Sequence, residues 1–454
     1  MKKRLLLSFV TSLLVTLQAN SLNLYSDKDK QSNIITNIDT TKGTIVKKHC
    51  MSNRKSQEWC KVDYFYKELK LQGYIPKDAL DAMRVVRKEK PTFSSHFGGR
   101  YDDSLNSVVS VDGGYVLVGY TDSFGHGRED AYVIKIDTFG NKVYSKALGT
   151  GDDESLNGVV AFEDSFLVAG SSGGVGNDVE SIYMAKFSHA GKLLWEKGFY
   201  SDEDDYYRAN DIIKISPNNT IVVGYEEHVK FFNSEVNIYV NAINSEGVRN
   251  GIKRYGGAKV DRANSIVNVS DGYVIAGLTR SWGAGGEDAY VLKIDKKGQR
   301  VWHNVFGYEY DEVANQIIAT QDGGYILVGT TDSDIKKQKE IYVVKLNALG
   351  QREWQRHYGS KEDEEGFSIV EVEDGYVIAG YTKDTTSYSK DALLVKIAKN
   401  GAVLWSKHYG LEKDDAFKKI IKSGEYFVAV GYTTSLENYS KEAYVVKVDK
   451  DGNL

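Results

Sequence analysis

Apolar and polar residues alternate in short runs along most of this chain, and one such run returns seven times. It reads Asp130-Ala-Tyr-Val-Ile-Lys-Ile-Asp137 and recurs around Tyr183, Tyr239, Tyr290, Tyr342, Leu393 and Tyr444, at intervals of 51 to 56 residues. Alternation of this kind predicts strands. A repeat of about fifty residues built from short strands predicts a radial or stacked architecture. The first repeat should hold four strands, Leu105–Val109, Tyr115–Tyr120, Ala131–Ile136 and Lys142–Leu148. Asp112-Gly113-Gly114 and Gly140-Asn141 punctuate them as turns. Four antiparallel strands form the unit of a propeller blade.

The fourth strand occurs six times, as Val143–Leu148, Leu193–Phe199, Ile252–Tyr255, Val301–Phe306, Glu353–Tyr358 and Val403–Tyr409. The seventh repeat lacks it. A matching segment stands ahead of the first repeat, where Thr92-Phe-Ser-Ser-His-Phe-Gly-Gly99 parallels Lys407-His-Tyr-Gly410 and Arg356-His-Tyr-Gly359. The expected fold is all-β: over residues 92–454, a seven-bladed β-propeller of four-stranded blades whose N-terminal strand closes the last blade. Such closure removes two open sheet edges. The first repeat carries Gly98-Gly99, Asp102-Asp103, Asn106 and Val108, then Tyr115-Val-Leu-Val-Gly-Tyr-Thr121, then Ala131-Tyr-Val-Ile-Lys-Ile136. In these residues it resembles the bacterial propeller families typified by the SBBP repeat. That resemblance implies architecture and leaves activity open, because propellers host unrelated functions.

Residues 20–80 lie outside the repeat. Short alternating stretches there, Leu22–Tyr25, Gly43–Val46, Trp59–Val62 and Gly73–Ile75, predict a small all-β domain ahead of a linker over residues 81–91. Leu22-Asn-Leu-Tyr-Ser26, Lys42-Gly-Thr-Ile-Val46, Trp59-Cys-Lys-Val62 and Gly73-Tyr-Ile75 resemble the strand phrases of the bacterial SH3 family. The resemblance implies a small SH3-like barrel, and members of that family often bind cell-wall glycan or peptide. A spacer or assembly module is the plainer role. Tyr25 and Asp27-Lys28 depart from the family's arginine and glycine-proline turn.

Charge and cysteine content narrow the setting. Lys2, Lys3 and Arg4 precede the apolar run Leu5–Leu17, so residues 1–19 read as a secretory signal, with no membrane span expected after cleavage. The formal net charge is −5 and becomes more negative once those three basic residues are removed. An acidic exported chain is a poor nucleic-acid binder. The expected compartment is the periplasm, with secretion or the cell surface as the alternative. In an oxidising compartment Cys50 and Cys60 are expected to form one disulfide; two buried thiols are the other reading.

Function on scaffolded folds gathers on long loops. The connections between second and third strands are long (Thr121–Glu129 and Thr279–Glu287 among them), whereas the opposite face carries short Asp-Gly turns such as Asp271-Gly272. At the foot of the first strand an acid recurs as Asp103, Glu154, Asp261, Glu312, Glu364 and Asp415, with Tyr207 in the third repeat. A second acid often precedes it, and asparagine follows at Asn106, Asn157, Asn210, Asn264 and Asn315. One reading is a negative collar at the channel mouth, suited to a basic partner or to calcium, the one cofactor it admits. The other is that each carboxylate accepts N–H bonds in its own loop; near-perfect repetition favours it.

The recurring lysines, Lys135, Lys186, Lys293, Lys345, Lys396 and Lys447, read as structural. His96, His357 and His408 share a repeat position too far apart around a ring to hold a metal, and no metal site is expected. No nucleophile elbow, phosphate loop or His-Glu-x-x-His occurs, so no catalytic residue is assigned. The third repeat departs most, with Ala242 in the lysine position and Glu226, Glu227, His228, Phe231 and Phe232 in its long loop, a candidate protein-contact segment. The resulting expectation is an exported, non-enzymatic binding or scaffold protein whose partner is a protein or a cell-wall glycan. The alternative is a glycan-active enzyme using carboxylates at the channel mouth.

Overall fold

The computed structural model describes residues 21–25, 34–39, 44–52, 58–66 and 69–76, and residues 92–454 except 150, 152, 174–179, 200–204, 229–234, 333–337, 384–388, 412 and 435–438. The chain divides into two compact units, Met1–Glu89 and Lys90–Leu454. The expected signal and linker lie outside the described residues, as do Phe231, Phe232 and the side chains of Cys50 and Cys60. No described helix is long and apolar enough to cross a membrane.

The first unit is a five-stranded antiparallel sheet of β1 (Ser21–Tyr25), β2 (Ile34–Asp39), β3 (Thr44–Ser52), β4 (Glu58–Tyr66) and β5 (Leu69–Pro76), in the order β2-β1-β5-β4-β3. Strand β2 was not expected; its Ile34-Ile-Thr-Asn-Ile-Asp39 run lacks clean alternation. Trp59 and Ile75 are fully buried. Cys50 and Cys60 are backbone register partners across β3 and β4.

The second unit is a seven-bladed propeller. It begins with β6 (Phe93–Phe97) and then runs blade by blade. Blade one is β7 (Asp103–Val111), β8 (Gly114–Thr121), β9 (Asp130–Asp137) and β10 (Lys142–Leu148). Blade two is β11 (Asp153–Ala161), β12 (Ser165–Gly173), β13 (Ser181–Ser188) and β14 (Leu193–Phe199). Blade three is β15 (Asp205–Ser216), β16 (Asn219–His228), β17 (Glu235–Asn244) and β18 (Arg249–Tyr255). Blade four is β19 (Asp261–Val269), β20 (Gly272–Thr279), β21 (Asp288–Asp295) and β22 (Arg300–Phe306). Blade five is β23 (Glu312–Ala319), β24 (Tyr325–Thr331), β25 (Glu340–Leu346) and β26 (Arg352–Tyr358). Blade six is β27 (Glu364–Val372), β28 (Gly375–Lys383), β29 (Lys390–Ala398) and β30 (Val403–Tyr409). Blade seven is β31 (Asp415–Ser423), β32 (Tyr426–Thr434) and β33 (Lys441–Val448), completed by β6.

Closure follows the sequence expectation. Strand β6 pairs antiparallel with β33, with Phe97 opposite Ala443 and Phe93 opposite Lys447. Phe93 also does what the fourth-strand aromatics do elsewhere. Trp405 of blade six covers the turn glycine Gly452 of blade seven, and Phe93 covers Gly140 of blade one in the same way. Both glycines have positive φ, 74° and 83°, so the turn favours glycine on conformational grounds as well.

The core lies between blades. Every one of the seven blade interfaces holds an apolar cluster, so the middle strands are covered on both faces. Strand β9 is buried along its whole length, while fourth strands such as β10 are half-buried to exposed. The first strands lie against one another around the ring, including β31 against β7, and so line the central channel.

Candidate functional site at the channel mouth

Each first strand carries a one-residue bulge at the same repeat position, where the bulged residue is Asn106, Asn157, Asn210, Asn264, Asn315, Phe367 or Lys418. A bulge re-aims its side chain. Here it turns each asparagine toward the next blade. Asn106 donates to the Leu156 carbonyl at 3.0 Å, Asn157 to Ala209 at 2.8 Å, Asn210 to Ala263 at 2.8 Å, Asn264 to Ala314 at 3.0 Å and Asn315 to Gly366 at 2.8 Å. These five bonds tie six first strands together. Opposite each bulge the second strand carries a glycine; a Cβ on Gly119 would collide with the Ser104 carbonyl, and one on Gly277 with that of Arg262.

The six aligned acids are buried at the foot of the first strands, at 0 to 3% exposure. Each sits opposite a hydroxyl on the second strand. Asp261 accepts from Thr279 Oγ1, from Ser281 Oγ at 2.7 Å and from the Gly257 N–H at 2.7 Å. Asp103 repeats the set with Thr121, Ser123 and Gly99. Glu312 accepts from Thr331 and the Tyr308 N–H, both at 2.7 Å. Glu364 accepts from Thr382 at 2.8 Å and from the Ser360 N–H at 3.0 Å. Glu154 accepts from Ser172 at 2.9 Å, and Asp415 from the Leu411 N–H at 2.8 Å. Burial raises the Asp103 and Glu312 carboxyls and pushes Asp415 up to about 6. All six carboxylates are therefore buried and accept hydrogen bonds from their own loops or second strands.

Blade three carries the same bond with its partners exchanged. Tyr207 occupies the acid position and Glu226 the hydroxyl position, and the two are register partners. Tyr207 Oη donates to Glu226 Oε1 at 2.5 Å, and Arg254 adds a bidentate contact, with Nη2 at 2.8 Å from Oε1 and Nε on Oε2. Burial would raise the Glu226 carboxyl, but bonds from Arg254 and Tyr207 outweigh it and hold it below its ordinary value. Glu226, Glu227 and His228 thus belong to β16 rather than to the loop where the sequence suggested a contact segment. Asp205, Glu226 and His228 cluster closely enough for a metal. Arg254 already occupies the Glu226 carboxylate, and His228 Nδ1 lies 2.5 Å from Asp205, so the group is a charge network suited to tying β15 to β16.

The second acids join neighbouring blades. Asp102 accepts the Lys441 N–H at 2.9 Å, Asp311 that of Glu287 at 2.7 Å, Asp363 that of Lys339 at 3.1 Å and Asp414 that of Lys390 at 2.9 Å. These bonds place the fourth-to-first and second-to-third connections on one face. The residue at the start of the third strand therefore rings the mouth. It is Glu129, Glu180 and Glu287 on blades one, two and four, and Lys339, Lys390 and Lys441 on blades five, six and seven. This position is thus a glutamate on three blades, where Arg208 pairs with Glu180 and Arg280 with Glu287, and a lysine on three others. Around blade one, burial and then the neighbouring acids Glu129, Asp102, Asp103 and Asp153 push Asp122 up to about 6.

The remaining repeated groups have local roles. Lys293, Lys345 and Lys396 pair with turn acids Asp271, Asp322 and Asp374 at 2.8, 2.8 and 2.9 Å. Lys135 and Lys186 donate to the Asp112 and Ser245 carbonyls, and Lys447 lies over Tyr426. His96, His357 and His408 each face an acid on the adjacent third strand, Glu442, Glu340 and Asp391. The rim charges and the two substituted bulge positions escaped sequence reading. Extending the asparagine column past Asn315 to Phe367 and Lys418 would have exposed the second of these.

No protein-family model matches the chain, and no curated protein does. Solved structures similar to it include Sqt1 from Chaetomium thermophilum, at 13% identity and TM-score 0.45, covering 80% of this chain and 86% of that one. The Pan2 WD40 domain of Neurospora crassa matches at 12% identity and TM-score 0.38, covering 73% and 85%. A puromycin hydrolase matches at 12% identity and TM-score 0.47, covering 78% of this chain and 54% of that one.

Proposed function

We propose that the chain is an exported, non-enzymatic binding or scaffold protein that works through the long-loop face of its propeller. The observation that carries this reading is the use made of the acids. The buried carboxylates that a glycan-cleaving site would need already accept hydrogen bonds within their own blades, as Asp261 and Glu364 do. What varies from blade to blade is the rim, where a partner would touch. The N-terminal sheet, SH3-like by its sequence phrases, supplies a second contact surface for cell-wall material or a partner. Purified chain is expected to bind a cell-wall or envelope-protein fraction and to leave chromogenic glycans intact. Turnover of any such glycan, lost on changing mouth carboxylates in a folded variant, would establish the glycan-active alternative instead.

Export has its own tests. Mass spectrometry of the chain recovered from the periplasm should show a mature start after residue 19. Cys50 and Cys60, register partners in the backbone, should then form a disulfide, which for a small domain stabilises by about 2–4 kcal/mol. Labelling of both thiols in the exported, native chain would refute that bond.

A further inference from the structure

Over blades six and seven, three lysines lie on one aromatic floor and a fourth stands beside it. Tyr381, Ala416 and Tyr432 pack together, with Phe367 against them. Lys418 Nζ lies 3.7 Å from the centre of the Phe367 ring, Lys390 Nζ 4.2 Å from Tyr381 and Lys441 Nζ 5.3 Å from Tyr432. Lys339 joins through Glu365, 2.7 Å away, whose backbone is the register partner of Tyr381. Carboxylates stand among them, with Asp363 and Asp414 accepting the backbone N–H groups of Lys339 and Lys390. Glu365 is taken by Lys339, and Asp102 lies 3.5 Å from Lys441. The ammonium groups of Lys390 and Lys418 lie over ring faces, with Glu365 acting on Lys418 from farther off.

A ring face replaces only part of an ammonium's hydration. Burial, together with the charges of Lys390, Lys441 and Lys339, pulls Lys418 down to about 8, against the opposite pull of Glu365. Like charges gathered in this way carry a cost that a bound anion would relieve. A second observation is independent of charge. The asparagine ladder stops here, because Phe367 and Lys418 stand at the two bulges where five other blades place asparagine. The repeat gives up two inter-blade bonds at this one place.

We propose that the channel mouth over blades five to seven binds a small polyanion, carrying at least two negative charges on phosphoryl or carboxylate oxygens, between Lys390 and Lys418 with Lys339 and Lys441 at its edge. The proposal rests on the binding reading above and names a ligand class for the same face. Phe367 and the two tyrosines form an apolar wall that keeps Lys418 from full hydration. Lys418, inside the channel, sets the depth to which an anion enters.

Calorimetric titration of the full chain with inorganic pyrophosphate, and separately with citrate, at fixed ionic strength tests it. Saturable binding of at least one probe is expected, and the pair tells phosphoryl from carboxylate preference. Lys390→Gln with Lys418→Met should weaken binding at least tenfold while the melting temperature stays level or rises. If that double variant misfolds, Lys390→Gln at the rim carries the test, with a loss of several-fold. Lys296→Gln with Lys399→Gln, which removes two lysines stacked on tyrosines at the opposite face, should change nothing. No saturable binding of either probe up to about 1 mM, the weak end of specific affinity, would overturn the proposal. So would equal weakening by the opposite-face pair. A chain that binds envelope material but neither anion loses this inference alone; one that binds an anion but no envelope material loses the broader reading alone.

Discussion

A buried carboxylate that collects three donors is poorly replaced by its amide, which offers one acceptor oxygen and brings two donors of its own. Asp261 collects the Gly257 N–H and the Thr279 and Ser281 hydroxyls. Asp261→Asn with Glu364→Gln should lower stability by about 1–3 kcal/mol per site in thermal unfolding at pH 7; an unchanged melting temperature would return these acids to the role of a ligand collar. At Asp415 burial lifts the carboxyl from 3.8 to about 6. Between those values the folded chain holds a proton that the unfolded chain has lost. Stability contributed by this group therefore falls as pH rises from about 4 to about 6 and stays lowered above. Asp415→Asn should remove that fall, on the order of 2 kcal/mol in urea unfolding compared at pH 4 and pH 7. The recurrence of these acids was visible in the sequence. Their burial was not, since only the bulge and the facing threonine column turn them inward.

Strand β6 shows what a single element contributes to a ring. It supplies the outer strand of blade seven, and Phe93 packs in the cluster between blades seven and one, with Tyr115 and Val445. Phe93→Ala should cost about 3–4 kcal/mol, measured by chemical unfolding. A loss below about 1 kcal/mol would mean that the ring holds without this closure. The position of β6 was legible because its His-Phe-Gly-Gly phrase matches the fourth strands of other repeats. Strand β2 was missed for the opposite reason: Asn37 and Asp39 interrupt its apolar positions, and its place comes from pairing with β1 rather than from its own pattern. Blade three misled in the same way. Tyr207 looked like a lost acid, yet Glu226 across the pair restores the bond, a compensation that reads only when both strands are set in register.

At the scale of the whole propeller, repetition accounts for the framework and its failures mark the working surface. Seven interface clusters and five asparagine bonds repeat around the ring. The rim does not repeat, with Glu129, Glu180 and Glu287 on three blades and Lys339, Lys390 and Lys441 on three others. Charged positions that differ from blade to blade give a partner distinct groups to meet around the mouth. Those residues were in plain view as the ends of the long loops; what the sequence lacked was the ring that brings them together. The direct test of the binding account is a comparison of the two faces. Lys339→Glu, Lys390→Glu and Lys441→Glu together reverse the basic rim, and Glu373→Lys with Glu425→Lys alters exposed turns on the opposite face. Binding of the cell-envelope fraction is then measured for wild type and both variants at equal fold stability. The account predicts loss of binding in the rim variant and wild-type binding in the turn variant; retained binding in the first, or loss in the second, would contradict it.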